Sequence, residues 1–193
     1  MPGAYHHGNL RMVLVEQGLA LLESTQQGDL SLRELARLVG VSANAAYRHF
    51  ANKDALLSAL AAEGFRRLKD VQIQAAMTTP ADLREGLHRA GRAYVQFAQD
   101  NPSLFRLMFG GLLAANPSEE LAQAGLEAFE ILQTAIAHLL GVPMTDDQVT
   151  VGALSAWSMV HGLSHLVLDG QLKHYGDQAD ALIDVVIKQF GSA

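Results

Sequence analysis

Apolar residues recur at three- and four-residue intervals through almost the whole 193-residue chain, and no stretch sustains the two-residue alternation of a half-buried strand. This periodicity predicts an all-α fold. Breakers cut the pattern at Gln27-Gly28-Asp29, Gly40, Thr78-Thr79-Pro80, Asn101-Pro102, Gly110-Gly111 with Asn116-Pro117-Ser118, Gly141-Val142-Pro143 and Asp169-Gly170. The predicted helices therefore cover residues 10 to about 24, two short stretches within 31–50, 53–77, a segment opening at Pro80 or Asp82 and closing before Pro102, 103–109, 119–140, 146 to about 168, and 177–190. Hydrophobic residues make up 49% of the chain, enough for a core without metal or disulfide support. The expected division is a head of residues 1–52 and a body of residues 53–193, with the long helix from Lys53 linking them.

The densest local signal lies in residues 31–50, SLRELARLVGVSANAAYRHF. Leu32, Leu35, Ala36 and Val39 give a first helix one apolar face, and Gly40 supplies the left-handed backbone that ends it. Ser42 is placed to cap a second helix, whose Ala46, with Val41 and Phe50, packs on the first. Ala43, Asn44, Tyr47 and Arg48 then face outward, as in a helix-turn-helix. A DNA major groove would admit this set: small Ala43 and Ala45 allow close approach, Asn44 suits a bidentate pair with adenine, and Tyr47, Arg48 and His49 reach phosphates. Asn52 is a cap candidate for the next helix, and Lys53 in its first turn opposes the helix dipole unless an anion lies nearby. The candidate DNA contacts are thus Ser42, Ala43, Asn44, Ala45, Tyr47, Arg48, His49 and Lys53. Paired amphipathic helices around a glycine turn also occur in proteins that bind no DNA, and spacing alone leaves both readings open.

Net charge is −6, an odd balance for a DNA binder until it is divided along the chain. Residues 1–70 carry eight Lys or Arg against seven Asp or Glu, whereas residues 71–193 carry six against thirteen. Binding is local, so an acidic body need only face away from the duplex, and two weakly basic heads on one site would supply the affinity. With no cysteine, disulfides, thiolate zinc sites and cysteine nucleophiles are excluded, which fits a reducing, cytoplasmic setting. The longest wholly apolar or glycine run, residues 107–115, falls far short of the ~20 residues that span a bilayer, and the opening residues lack the order of a signal peptide. No nucleophile elbow, phosphate-cradling glycine loop or paired-carboxylate motif is present, so neither an enzyme nor a resident cofactor is expected.

In the body, Tyr94, Phe97, Phe105, Met108, Phe109, Phe129 and Trp157 are candidates to line a small-molecule cavity, although such residues more often form ordinary core. His161, one turn after Trp157, is the best candidate polar group for such a cavity. His161 and His165 share a face at metal-ligand spacing, but two ligands are too few, and Asp169 with His138 or His174 would have to join them. The competing role is structural: His161 hydrogen-bonded inside the body, and Gly162 allowing a close helix crossing. The last two long helices carry more apolar surface than one core-facing stripe needs, at Val151, Leu154, Met159, Leu163 and Leu166, then Leu182, Ile183, Val185, Val186 and Ile187, of which Val151, Leu154, Met159, Leu163, Leu166, Leu182, Val185 and Val186 are the interface candidates. Such surplus suits a subunit interface, or else a wide internal core.

Residues 32–57 resemble the N-terminal domain of the TetR family of bacterial transcriptional repressors. The likeness rests on Gly40-Val41-Ser42, Tyr47-Arg48-His49-Phe50 and Lys53-Asp54-Ala55-Leu56-Leu57. Asn44-Ala45 replace the Gly-Thr of many members, so the family's base contacts at those two positions transfer poorly. Trp157, His161 and Gly162 resemble the Trp-x-x-x-His-Gly motif of a subgroup with a WHG-type C-terminal domain, and Tyr5-His6-His7-Gly8-Asn9-Leu10-Arg11 is similar to the opening of its members. The resemblance implies a homodimer joined through the last two helices, a roughly palindromic double-stranded operator, and a small-molecule effector in each body that relieves repression. Two other expectations stay open: a ligand-independent DNA-binding protein, and a metal-dependent sensor using His161 and His165.

Overall fold

The computed structural model describes residues 10–24, 30–78, 82–114 and 117–190, and among them every regular element is helical. In chain order these are α1 (Leu10–Ser24), α2 (Leu32–Val39), α3 (Ala43–Tyr47), α4 (Lys53–Met77), α5 (Leu83–Asp100), α6 (Pro102–Met108), α7 (Gly111–Ala114), α8 (Glu119–Leu140), α9 (Asp147–Leu168), a 3₁₀ turn (Lys173–Gln178) and α10 (Ala179–Gln189). The fold is all-α, as the periodicity predicts. The breakers expected at residues 27–29, Thr79-Pro80 and Asn116, and the motif at residues 5–9, lie outside the described residues, as does Ala115 of the apolar run. Two expectations need adjusting. Residues 111–114 wind into a helical turn where a loop is expected, and the last helix starts at Ala179 because Gly176, at φ 52°, interrupts the preceding turn.

The chain folds as two compact units, one comprising residues up to Gly64 with Ser103–Gln123, the other Phe65–Pro102 with residues from Ala124 onward. The first unit thus draws on chain from both sides of α5. Its α1 packs on α2 and α2 on α3. Leu14, Leu30, Leu35, Leu56, Leu60, Leu104 and Phe105 are fully buried there. At ~1.5–3 kcal/mol for each such side chain, these residues are the main stabilising term. Polar ties bind the segment 103–123 to the rest of this unit. Arg11 pairs with Glu120 while its guanidinium lies 5.4 Å from the centroid of the Phe50 ring, and Ser58 and Ser118 share a 2.6 Å hydrogen bond.

In the second unit α5 packs along α9, and α10 packs on both. Val95, Ile136, Val149 and Ile183 form its buried centre. Asp82 caps α5 by accepting from the Glu85 N–H at 3.0 Å, and Asp146 caps α9 by accepting from the Gln148 N–H at 2.9 Å. Arg92 bridges Asp180 and Asp184 of α10 at 2.9 and 3.2 Å. By length and composition alone α9, with a mean hydropathy of 1.3 over its most apolar window, is apolar enough to cross a membrane, although no continuous apolar run in the sequence suggested it. Its inward residues Val149, Ala153, Ala156 and Val160 are nonetheless buried within its own unit, and Ser164 Oγ donates to the Val160 carbonyl at 2.8 Å.

Leu35 is fully buried between α1, α2 and their neighbours. Replacing it with alanine is expected to lower the stability of the first unit by about 2–5 kcal/mol. Urea unfolding followed by circular dichroism measures this, and an unshifted transition would place the unit's core elsewhere.

Candidate nucleic-acid interface

Helix α2 opens at Ser31, whose extended backbone (φ −121°, ψ 135°) lets Oγ accept the Glu34 N–H at 3.1 Å. It closes at Gly40, where φ 76° is a left-handed conformation that costs an L side chain about 1 kcal/mol or more. The Gly40 N–H donates to the Arg37 carbonyl and the Val41 N–H to the Ala36 carbonyl, so the chain reverses within three residues. Ser42 then caps α3, its Oγ accepting the Ala45 N–H at 3.2 Å. Ala46 and Phe50 turn inward and are buried, as are Leu32, Leu35, Ala36 and Val39 of α2, on which α3 packs. The helix-turn-helix expected from residues 31–50 is therefore formed, with Gly40 and Ser42 in the roles expected of them and Ser31 as a further cap.

This packing fixes what faces outward. Ser42, Asn44, Tyr47, Arg48 and His49 are exposed, while Ala43 and Ala45 are half-buried and leave room beside the backbone. Asn52 caps α4 by accepting the Ala55 N–H at 2.8 Å, which puts the exposed Lys53 in the first turn of that helix. An open cleft of about 400 Å³ lies next to α3, lined by Leu30, Ser31, Leu32, Arg33, Tyr47 and Lys53. It collects two cations and a phenol at the start of α2, where helix geometry already favours an anion. Arg33 and Ser31 are absent from the sequence-derived set. The signal for Arg33 was the one used for Lys53, a cation in a helix's first turn, repeated in α2.

The aromatic candidates of the body divide between the units. Phe105 and Met108 are buried in the first unit, with the Phe109 ring 4.9 Å from Phe105. Tyr94, Phe97, Phe129, Trp157 and His161 belong to the second. Four of these five are joined by ring contacts or hydrogen bonds. Trp157 Nε1–H donates to Tyr94 Oη at 3.1 Å, Tyr94 Oη lies 2.9 Å from His161 Nδ1, and the Phe129 and Trp157 rings are 5.8 Å apart. Burial pushes the Tyr94 phenol well above its usual range, against the opposing effect of the Trp157 hydrogen bond. A phenol that accepts from the indole and keeps its proton directs that proton at Nδ1, leaving the neutral imidazole protonated on Nε2. Burial first, and then the charge of His165, lower the pKa of His161.

His161 and His165 stand edge to face with centroids 4.7 Å apart, yet no group of three or more side chains suited to a metal ion occurs among the described residues. Gly162 is exposed, and a Cβ there would meet nothing within 4 Å, so the close helix crossing expected at this glycine is not made among the described residues. Of the proposed interface residues, Val151, Leu154, Leu166, Leu182 and Val185 are exposed, and Met159 and Val186 are half-buried. Leu163 departs from the expectation. It is buried within its own unit, because it points to the side of α9 that faces the core.

The sequence of the reading head matches, over residues 14–60, the model for bacterial regulatory proteins of the tetR family, and residues 87–190 match that of the tetracyclin repressor-like C-terminal domain. Two similar relatives are the HTH-type transcriptional regulator Rv1816 of Mycobacterium tuberculosis, 32% identical over 98 residues, and the nucleoid occlusion factor SlmA of Marinobacter nauticus, 28% identical over 130 residues. These matches take in 50% and 67% of this chain but only 42% and 66% of the respective relatives' lengths. A solved protein of unknown function from Rhodococcus sp. RHA1 is 32% identical, superimposes with a TM-score of 0.81, and is covered over 95% of its length by 96% of this chain.

The lowered pKa of His161 carries a pH dependence. The unfolded imidazole binds a proton more tightly than the folded one, so this group's contribution to stability is present above the ordinary value of 6.5 and is lost as pH falls through the folded pKa. Thermal unfolding followed through Trp157, the chain's single tryptophan, is expected to fall in midpoint below that pH, and His161→Gln is expected to flatten the slope. An equal slope in the variant would assign the dependence to another group.

Proposed function

Because the chain belongs to the TetR family of bacterial regulatory proteins, we propose that it is a cytoplasmic repressor that binds a roughly palindromic operator as a homodimer and releases it when a small molecule occupies the body. The observation that carries this reading is the cleft where Arg33, Tyr47 and Lys53 converge beside the outward face of Asn44. Phosphates of one strand seat in the cleft and fix the register of the head, and Asn44 reads a base edge in the major groove. Ser42, Ala43 and Ala45 give the backbone its close approach, and Arg48 and His49 flank the same backbone. The work of such a protein is recognition, with no reaction to catalyse.

Two heads on one duplex must stand about one DNA turn apart, near 34–36 Å. The exposed apolar residues Val151, Leu154, Leu166, Leu182 and Val185 support a dimer that sets this spacing, since burying them against a second copy removes them from water. The Tyr94, Trp157 and His161 cluster supports an effector site, being aromatic with a few fixed polar atoms. An effector that binds one arrangement of the body better than another would displace α4 and change the spacing of the heads. Linkage makes this testable, because effector and operator must then weaken each other by the same factor.

Fluorescence anisotropy on labelled duplex from the chain's own upstream region, against scrambled duplex, tests the DNA reading. Arg33→Ala, Tyr47→Ala and Lys53→Ala are expected to weaken both duplexes alike, each cation lowering the salt slope by about 1. Asn44→Ala is expected to relax the preference between them. Effects in the opposite pattern would reassign these residues. Sedimentation should find a dimer that Val151→Glu together with Val185→Glu converts to monomer, whereas an unaltered dimer would move the interface away from α9 and α10.

A further inference from the structure

Helix α6 has no cap of its own. Asn101, just before it, turns back onto α5, its Nδ2 donating to the Phe97 carbonyl at 3.0 Å and its backbone N–H to the same oxygen at 3.0 Å. Pro102, the first helical residue, has no N–H to satisfy. The two remaining first-turn amides belong to the buried Ser103 and Leu104, and both go to Glu23 at the end of α1. The Ser103 N–H donates to Oε2 at 3.2 Å and the Leu104 N–H to Oε1 at 2.8 Å. Every orphan donor at this terminus is thereby accounted for, with a cap imported from a distant helix.

Glu23 is the penultimate residue of α1, where a carboxylate opposes the dipole of its own helix. At the start of α6 the same charge is favourable, and its hydrogen bonds to backbone N–H groups are of the stronger, charge-assisted kind. A placement that α1 alone disfavours is thus offset by what the carboxylate does for α6. The flank of α6 is held as well. A Cβ on Gly64 of α4 would stand 2.6 Å from Met108 Sδ and 3.0 Å from Leu104 Cδ1. Only glycine permits that approach without displacing them.

We propose that Glu23 is a positioning residue that makes α6 part of the DNA-reading unit, so that the start of α6 and α1 shift together. The inference rests on the reading of the first unit as the DNA-binding head. Helix α1 packs on α2, which carries the helix-turn-helix, so the placement of α6 is passed to the reading face through α1. The chain enters α6 directly from α5, whose Tyr94 holds His161 about two turns earlier.

The test uses the full chain with Glu23→Ala, Glu23→Gln and Glu23→Asp, and two readouts. The first is hydrogen exchange at the Ser103 and Leu104 amides. The second is affinity for a palindromic duplex selected from a random pool, compared with a duplex holding one half-site. Glu23→Ala is expected to speed exchange of both amides on the order of tenfold, the factor a lost cap gives. It is also expected to weaken the palindromic duplex while leaving the half-site unchanged, because each head stays folded but its spacing is no longer held. Glu23→Gln, with one acceptor oxygen, falls between, and the shorter Glu23→Asp behaves as alanine. Unchanged exchange overturns the cap. Faster exchange with an unchanged palindrome, or with equal losses on both duplexes, overturns the positioning role. If the alanine variant does not fold, the glutamine variant decides by the same criteria. A wild-type chain that prefers no duplex overturns the DNA reading and the positioning role with it, while exchange still decides whether Glu23 caps α6.

Discussion

Every helix begins with amides that its own ladder leaves unbonded, and in a chain of short helices these ends set the geometry. Helix α3 has five residues, so nearly all of it is terminus. What holds it is the Ser42 cap on one side of the turn and the left-handed Gly40 on the other. Once those fix the angle, burying Ala46 and Phe50 leaves one face for Asn44, Tyr47 and Arg48. Caps at Ser31 and Asn52 do the same for the flanking helices, and they bring Arg33 and Lys53 to one cleft from opposite ends of the motif.

The elements most legible in the sequence are those decided locally. Helices α4 and α8 have the bounds that period and breakers predict, and Gly40 ending α2, Ser42 capping α3 and Asn52 capping α4 are the residues expected, because a cap is chosen within three residues of the amide it serves. Arg33 was legible and overlooked. Glu23 was not legible at all, since the amides it serves lie 80 and 81 residues along the chain. Apolar character likewise says that a side chain is buried but not in which core, which is why Phe105 and Trp157 fall in different units. On α9, apolar on most sides, the wheel gives no direction, so Leu163 turns inward while Leu166, one turn on, is exposed.

The second unit shows how polar groups specify a packing that apolar ones leave free. Trp157, Tyr94 and His161 are held by direction-dependent hydrogen bonds, and their satisfaction requires α5 and α9 to meet in one register. The remaining apolar surface of α9, at Val151, Leu154 and Leu166, is exposed among the described residues.

The first unit is discontinuous, built from residues up to Gly64 and from Ser103–Gln123 with all of α5 synthesised between them. On the ribosome, the helix-turn-helix emerges before every part of its unit's core has been made. Leu104 and Phe105 of its core arrive later, as does the amide pair that the Glu23 carboxylate serves. Until residue 123 is made, the head carries an incomplete core and an unmatched charge, a state exposed to misassembly as partly folded domains are. Completion of that unit's core is thereby deferred until Ser103–Gln123 has been made. A truncated product of the first 64 residues would carry the whole recognition motif and lack the parts that finish its fold.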